Sequence, residues 1–348
     1  MIRLSPLQLI EFASRHSLSL GASGRPYAPL VTVDLGTPAE PEIAAAAAAA
    51  AARSGVICVG VADTQIDEGW GPLLETLTLT LVGRPVTSPP AIAVSDVEGE
   101  VATIEGAVRR NPRAALTLAA ILRAASQLPV VDALVVESAA YSMLLAGPEF
   151  AAWRATRPAR HSTPAPGPAV LLTRDGPALE ITLNRPERHN AFDVEIRDGL
   201  IDGLDLALCD ESIERILLKG AGPSFCSGGD LDEFGTSPDV ATAHLIRLDR
   251  SVAARIHRAS ARTSVLLHGA CIGAGIEFPS FAHRVEARED AFFQLPEISM
   301  GLIPGAGGTV GISGRIGRWR TAYLCLSGGR LAVETALDWK LLDGRAAA

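Results

Sequence analysis

The segment Leu295–Thr309, LPEISMGLIPGAGGT, sets one carboxylate, Glu297, between apolar neighbours and then runs into a bend built from Pro304, Gly305, Gly307 and Gly308. Reading outward, a short strand is expected at Ala291–Gln294 before it and a helix after it. Upstream, HGACIGAGIEF (268–278) follows an expected strand at Thr263–Leu267 and opens a helix at about Ala274, with Glu277 just inside. Further upstream, SFCSGGD (224–230) follows an expected strand at Ile213–Gly220. Strands at Ala178–Asn184 and Arg284–Ala287 and helices at Val194–Asp210 and Thr242–Ala259 fill the intervals. Strands alternating with helices make this half of the chain α/β.

Glycines in such turns adopt positive φ and let backbone N–H groups approach a ligand closely. A helix start points free N–H groups and a positive dipole end outward. Two of these turns side by side can form an oxyanion hole from two backbone amides. A solitary Glu is usually a solvated charge. Here the neighbours Ile276, Phe278, Leu295 and Ile298 point to burial and a raised pKa, as acid–base work requires. Other nucleotide and nucleophile motifs are missing. The run from Gly269 lacks G-x-G-x-x-G and a following ribose-binding acid, no G-K-S/T occurs, and no G-x-S-x-G surrounds Ser227. Cys226 and Cys271 read as small packing residues, Asp230 as a helix cap, and Trp70 and Trp153 as core or interface residues.

On four motifs the chain resembles the crotonase, or enoyl-CoA hydratase/isomerase, superfamily. They are LNRPERHNAF (183–192), GPSFCSGGDL (222–231), HGACIGAGIEF (268–278) and LPEISMGLIPGAGGT (295–309), and the resemblance covers about residues 170–343. It implies a spiral of repeated ββα units with an acyl-CoA thioester between them. It also implies an oxyanion hole from the N–H groups of Gly229 and Ala274, catalytic Glu277 and Glu297 flanking a water, and the Gly305 backbone touching that water. Arg188, His189, Asp230 and Leu231 match the CoA-contacting turns. CoA belongs to the substrate, and no separate cofactor and no metal is implied. Keeping both glutamates favours an enoyl-CoA hydratase, a hydro-lyase of fatty-acid-type metabolism. An isomerase and a catalytically silent subunit serving binding or assembly are the alternatives. Some cofactor-free oxygenases of the superfamily carry a helical N-terminal extension, but retention of Glu277 counts against that reading. His283 stands where the family commonly has Asp, and Pro279 falls in the first turns of the Glu277 helix. After the last motif the sequence is shorter than family members, whose further helices cover CoA and form a trimer. A homo-oligomer, trimer or hexamer, is the family expectation.

Residues 1–154 form a separate α/β region rich in helix, joined through the Pro-rich linker 155–168 (ATRPARHSTPAPGP) to the domain 169–348. Ser5, Pro6 and Gln8 make a capping box for its first helix. Strands are expected at Leu30–Leu35 and Gly55–Ala62, a strand or a helix ending in a strand at Leu73–Val82, and helices over the alanine run 44–52 and over Glu100–Arg109, Pro112–Gln127 and Ser138–Trp153. The order strand, Pro-bearing turn, helix, strand occurs in both halves, which suggests a degenerate repeat. A second role for the helices of 100–153 is to cover an apolar face of the acyl-CoA domain.

The composition agrees. Of 348 residues, 48% are hydrophobic, enough for packed cores, and the net charge of −8 with no basic block argues against nucleic acid and anionic membranes as partners. Five scattered cysteines without C-x-x-C argue against a disulfide framework and a structural zinc. The N-terminus MIRLSPLQLIEF lacks a secretory h-region, and the alanine run is too short to span a bilayer, so a cytoplasmic location is expected.

Overall fold

The expected alternation is realised in a computed structural model, which describes residues 2–15, 18–84, 88–157 and 167–346. Strands β1 (Arg3–Leu4), β2 (Leu30–Asp34), β3 (Ile57–Ala62), β4 (Leu79–Val82) and β5 (Ala91–Ala93) form one parallel sheet in sequential order. Helices α1 (Pro6–Arg15), α2 (Pro41–Arg53) and α3 (Gly71–Thr76) make the crossovers. The capping box at α1 is formed: the Gln8 N–H donates to Ser5 Oγ at 3.2 Å, and the Ser5 N–H donates to Gln8 Oε1 at 2.8 Å. In α2, Ala44, Ala47, Ala48 and Ala51 are buried at helical spacing, so the alanine run is a flat face lying on Val31, Val33 and Cys58. Four helices follow the sheet: α4 (Val97–Arg110), α5 (Pro112–Ala125), α6 (Val130–Leu145) and α7 (Pro148–Ala155). The single helix expected at Ser138–Trp153 is broken by a 59° bend, because Pro148 starts a new helix after Gly147.

The second half carries a six-stranded sheet. Its strands are β6 (Val170–Asp175), β7 (Ala178–Leu183), β8 (Arg215–Gly220), β9 (Thr263–Leu267), β11 (Arg284–Ala287) and β14 (Gly344–Arg345), again in sequential order. All are parallel except the β6–β7 hairpin. A small sheet is built from β10 (Ala270–Ile272), β12 (Phe292–Gln294) and β13 (Leu331–Ala332). The chain therefore writes ββα units. Strand β9 in the large sheet is followed by β10 in the small sheet and helix α11 (Ala274–Glu277). Strand β11 is followed by β12 and helix α12 (Gly308–Ser327). Cys226 bridges to Cys271 and so adds the turn after β8 to the same small sheet. Helices α8 (Val194–Cys209), α9 (Val240–Asp249), α10 (Val252–Arg258) and α13 (Val333–Asp338) complete the half.

Four local expectations change. Residues 73–82 are the end of α3 followed by β4, so the helix ending in a strand is the form found rather than one strand. The sequence reading placed no strand at β6, where only Val170 of six residues is buried and no alternation shows. The helix expected over 242–259 breaks at Ser251, whose Oγ accepts the Ala254 N–H at 3.1 Å and starts α10. The helix after Ala274 is one turn long, and Pro279 sits in the 3-10 turn Phe278–Phe281 that follows, so it does not disturb Glu277. His283 is exposed, with its N–H given to Ser260 and Thr263 carbonyls. Residues 158–166 of the expected linker lie outside the described residues.

One buried cluster belongs to the N-terminal region alone, with Leu9, Val33, Trp70 and Leu73. The larger cluster runs from Ile57 and Leu81 through Ile104, Leu118 and Leu134 into Phe278, Leu302 and Ile312. Helices α4, α5 and α6 pack on α12. They bury the face of α12 that would otherwise stand beside the Gly305 bend.

Candidate active site

The two glycine turns, the Glu297 segment and helix α6 enclose a cavity of about 580 Å³. Glu277 ends α11 and is buried. Its Oε2 accepts the N–H groups of Ala306 at 2.8 Å and Gly308 at 3.0 Å, at the N-terminus of α12. Glu297 opens the 3-10 turn Glu297–Met300; it too is buried, and its Oε2 has no hydrogen-bond partner. Gly273 (φ +51°) brings the pair together. A Cβ there would stand 2.6 Å from Glu297 Oε1 and 3.7 Å from Glu277 Oε1, so the two carboxyl groups share the space that glycine vacates.

A third carboxylate, absent from the sequence reading, comes from α6. Glu137 Oε1 accepts the Gly307 N–H at 2.7 Å, and Oε2 accepts the Thr309 N–H at 2.8 Å and its hydroxyl at 2.6 Å. The amides of residues 306–309 are thus taken alternately by Glu277 and Glu137, one carboxylate from each half of the chain. Tyr141, one turn further along α6, lies against Gly305, where a Cβ would meet the ring at 2.4 Å.

Burial pushes Glu137 up to about 7, against the pull of the Thr309 and Gly307 donors and of Arg247. Burial, then repulsion from Glu297 and Glu137, holds Glu277 well above the usual carboxylate range, while the two α12 amides pull it down. Burial raises Glu297 to about 8, with Glu137 adding to the effect. Three carboxyl groups in one low-dielectric site cannot all ionise near neutral pH. Two helix-terminal amides stabilise charge on Glu277, whereas Glu297 Oε2 has no donor.

Gly229 and Ala274 both border the same space. Phe192 N–H donates to the Gly228 carbonyl and Asp230 N–H to the Phe192 carbonyl, so the Gly229 N–H between them points away from that bridge. Ala274 begins α11, whose first internal bonds run from Ile276 and Glu277 to Gly273. Neither amide donates to a backbone acceptor among the described residues. Both residues line the cavity together with Glu277, Glu297 and Gly305.

The remaining positions singled out in the sequence stand at one edge. Asp230 lines the cavity; Arg188, His189 and Leu231 do not. Arg188 pairs with Asp230 and lies 3.9 Å from Asp193. His189 (φ +52°) shares a 2.9 Å hydrogen bond between its Nδ1 and Ser224 Oγ, and its carbonyl accepts the Ser227 N–H. The Leu231 carbonyl accepts from Arg154 of α7 at 3.2 Å. Asp230 caps no helix. It accepts the Asp232 N–H at 3.1 Å inside a turn, because no helix follows it. Cys226 and Cys271 are fully buried, and burial pushes Cys226 up to about 12, as suits packing residues. Among the described residues no cluster of three or more His, Cys, Asp or Glu side chains is placed to hold a metal ion, and no single helix is long and apolar enough to cross a membrane.

Glu137 had one signal in the sequence, an acidic residue inside the apolar run DALVVESAAYSMLL (132–145). That run could be placed on a helix, but not against a bend 170 residues later.

Residues 174–345 match the family model described as Enoyl-CoA hydratase/isomerase. The Bacillus subtilis protein YhaR, named as a candidate enoyl-CoA hydratase/isomerase, is 30% identical over 176 residues, half of this chain and 69% of YhaR. A 2,3-dehydroadipyl-CoA hydratase of Escherichia coli is 31% identical over 48% of this chain and 65% of its own length. Among solved structures, an enoyl-CoA hydratase from Thermoplasma volcanium is 33% identical over 52% of this chain and 72% of that chain, with a TM-score of 0.48. The chain thus spans about two thirds of the length of these relatives, and the residues before 174 lie outside the family model.

Proposed function

The chain belongs to the enoyl-CoA hydratase/isomerase family, and we propose that it adds water to a 2-enoyl-CoA thioester or removes it in reverse. The observation that carries this reading is the unequal pair in the cavity. Glu277 is held by two helix-terminal amides, and Glu297 has an oxygen with no partner. The amide donors favour charge on Glu277 over Glu297, so the first suits the base and the second the acid.

In this reading the thioester oxygen lies between the amides of Gly229 and Ala274, which take up charge as the enolate forms. Glu277 withdraws a proton from water while the water oxygen bonds to Cβ. The double-bond electrons move toward the thioester, and Glu297 delivers its proton to Cα. One water is consumed, and the two glutamates exchange protonation states, to be reset through solvent. The Gly305 bend, fixed by Glu277 and Glu137, borders the water position. The CoA portion is placed along the Arg188–Asp230 edge. No separate cofactor is needed for the balance. Family resemblance makes a homo-oligomer and a cytoplasmic setting part of the proposal.

The test is hydration of a panel of 2-enoyl-CoA thioesters by the purified chain, with Glu277→Gln and Glu297→Gln. Loss of turnover by orders of magnitude in both variants supports the hydratase. Loss in Glu297→Gln alone directs the assignment to isomerase chemistry on 3-enoyl-CoA. CoA binding without turnover on any thioester replaces the proposal with a silent subunit.

A further inference from the structure

One part of the cavity wall is a polar seam between α6 and α9 that the hydration chemistry leaves unused. Ser138 Oγ lies 2.9 Å from His244 Nδ1, and Ser142 Oγ donates to the Val240 carbonyl at 2.8 Å. Between them Arg247 reaches into the cavity lining. Its Nε donates to Ser138 Oγ at 3.2 Å, and its Nη2 donates to the Ser138 carbonyl at 3.3 Å and to Ser142 Oγ. Its Nη1 has no acceptor among the described residues. The guanidinium carbon stands 4.8 Å from the centre of the Tyr141 ring, and that ring lies against Gly305.

Three described cations line the cavity. Arg197 and Arg250 each hold Asp198 at 2.9 Å; Arg247 has no carboxylate within ion-pair distance among the described residues. Glu137 is near enough to offset part of its charge, but both Glu137 oxygens are already taken by Gly307 and Thr309. A guanidinium withdrawn from water, with a donor edge left open, is matched by a planar anion rather than by a hydrocarbon. Leu134, Leu145, Phe150, Ile246 and Val252 give the cavity an apolar stretch that suits a carbon chain, while the acids Asp193, Asp230, Glu233 and Asp239 also border it.

We propose that Arg247 receives a carboxylate carried at the far end of the acyl group, so that the preferred substrates are CoA thioesters of unsaturated dicarboxylic acids. The inference rests on the acyl-CoA reading above. An acyl end is favoured over a CoA phosphate by position. Arg247 is one aromatic ring from the bend that holds Glu277, whereas the Arg188–Asp230 edge assigned to CoA is formed by other segments.

The experiment is calorimetric binding to the full chain, which does not require turnover. Succinyl-, adipyl- and suberyl-CoA are compared with butyryl-, hexanoyl- and octanoyl-CoA, on wild type, Arg247→Gln and Arg247→Met. At the chain length that fits, the carboxylated thioester is expected to bind at least about tenfold more tightly than its methyl-ended counterpart, as a charge-assisted hydrogen bond allows. Both variants should erase that difference and leave the methyl-ended thioester and free CoA within about threefold of wild type. Equal affinities for the two series in wild type overturn the proposal. Equal weakening of both series and of free CoA in the variants also overturns it, and makes Arg247 a brace between α6 and α9 or a phosphate ligand. If no thioester binds at all, the acyl-CoA reading fails and this inference with it. Binding of both series without preference sinks this inference alone.

Discussion

Replacing Glu137 by Gln tests whether the N-terminal region sets the protonation of Glu277 and Glu297, the proposed acid–base pair. The amide keeps the side chain's volume and removes its charge. Carboxylates that take alternate N–H groups of one helical turn stand on the order of 6 Å apart. At an effective dielectric constant of about 20, such a pair repels by roughly 2–3 kcal/mol, or between one and two pH units. Glu137 contributes to the raised values of both Glu277 and Glu297. Its neutralisation should therefore lower both, and the pH profile of kcat/KM should move toward acid as a whole. The alkaline limb, set by loss of the Glu297 proton near 8, should fall by about one unit. The assay is initial-rate hydration of the best enoyl thioester across the pH range, with circular dichroism to show that the variant is folded. The Gln side chain also sets an NH₂ against an amide that donated to Glu137, which costs roughly 1–3 kcal/mol of stability. If kcat drops evenly at every pH and both limbs stay in place, Glu137 is only a strut and the electrostatic reasoning is wrong.

The Tyr141 ring leaves no room for a side chain at Gly305. Gly305→Ala should cost about 1–3 kcal/mol and lower turnover, and Tyr141→Ala in the same chain should recover much of the stability; additive losses in urea unfolding would refute that contact. Glu297 binds its proton more tightly folded, near 8, than unfolded, near 4.5. Folding stability should therefore fall by up to roughly 1.4 kcal/mol per pH unit as pH rises through that window. Glu297→Gln should flatten the decline in thermal midpoint, and an unchanged slope would show that the group is not held protonated. Of the five cysteines only Cys209 is exposed, so native-state alkylation followed by mass spectrometry should label Cys209 alone, whereas rapid labelling of Cys226 would contradict its burial.

The acyl-CoA half was legible because its chemistry is written in contiguous turns. Glu277, Glu297, Gly229, Ala274 and Gly305 each sit in a glycine-marked segment whose local geometry follows from its own residues. The helices were less legible for the opposite reason. Glu137 and Tyr141 of α6 in the first half, and Arg247 of α9 in the second, sit on helices, and what they do depends on which distant segment the helix meets. The Asn111 side chain illustrates the same limit: it stands at the N-cap position of α5 without making a cap bond there, and its amide reaches the Ile298 carbonyl at 2.6 Å, 187 positions later. Helix ends were blurred in both halves, where Pro148 and Ser251 interrupt patterns that continue across them.

The cavity is walled on one side by α6 and on the other by α11 and the Gly305 bend, so any ligand that fills it touches two parts of the chain far apart in sequence. Such a ligand works as mortar. By linkage, whatever free energy it gains from the assembled walls is returned as resistance of those walls to parting. Substrate and substrate analogues should thus protect the α6–α12 contact from proteases and from amide exchange. Opening of that contact should weaken ligand binding by the same factor by which bound ligand lowers the equilibrium constant for opening.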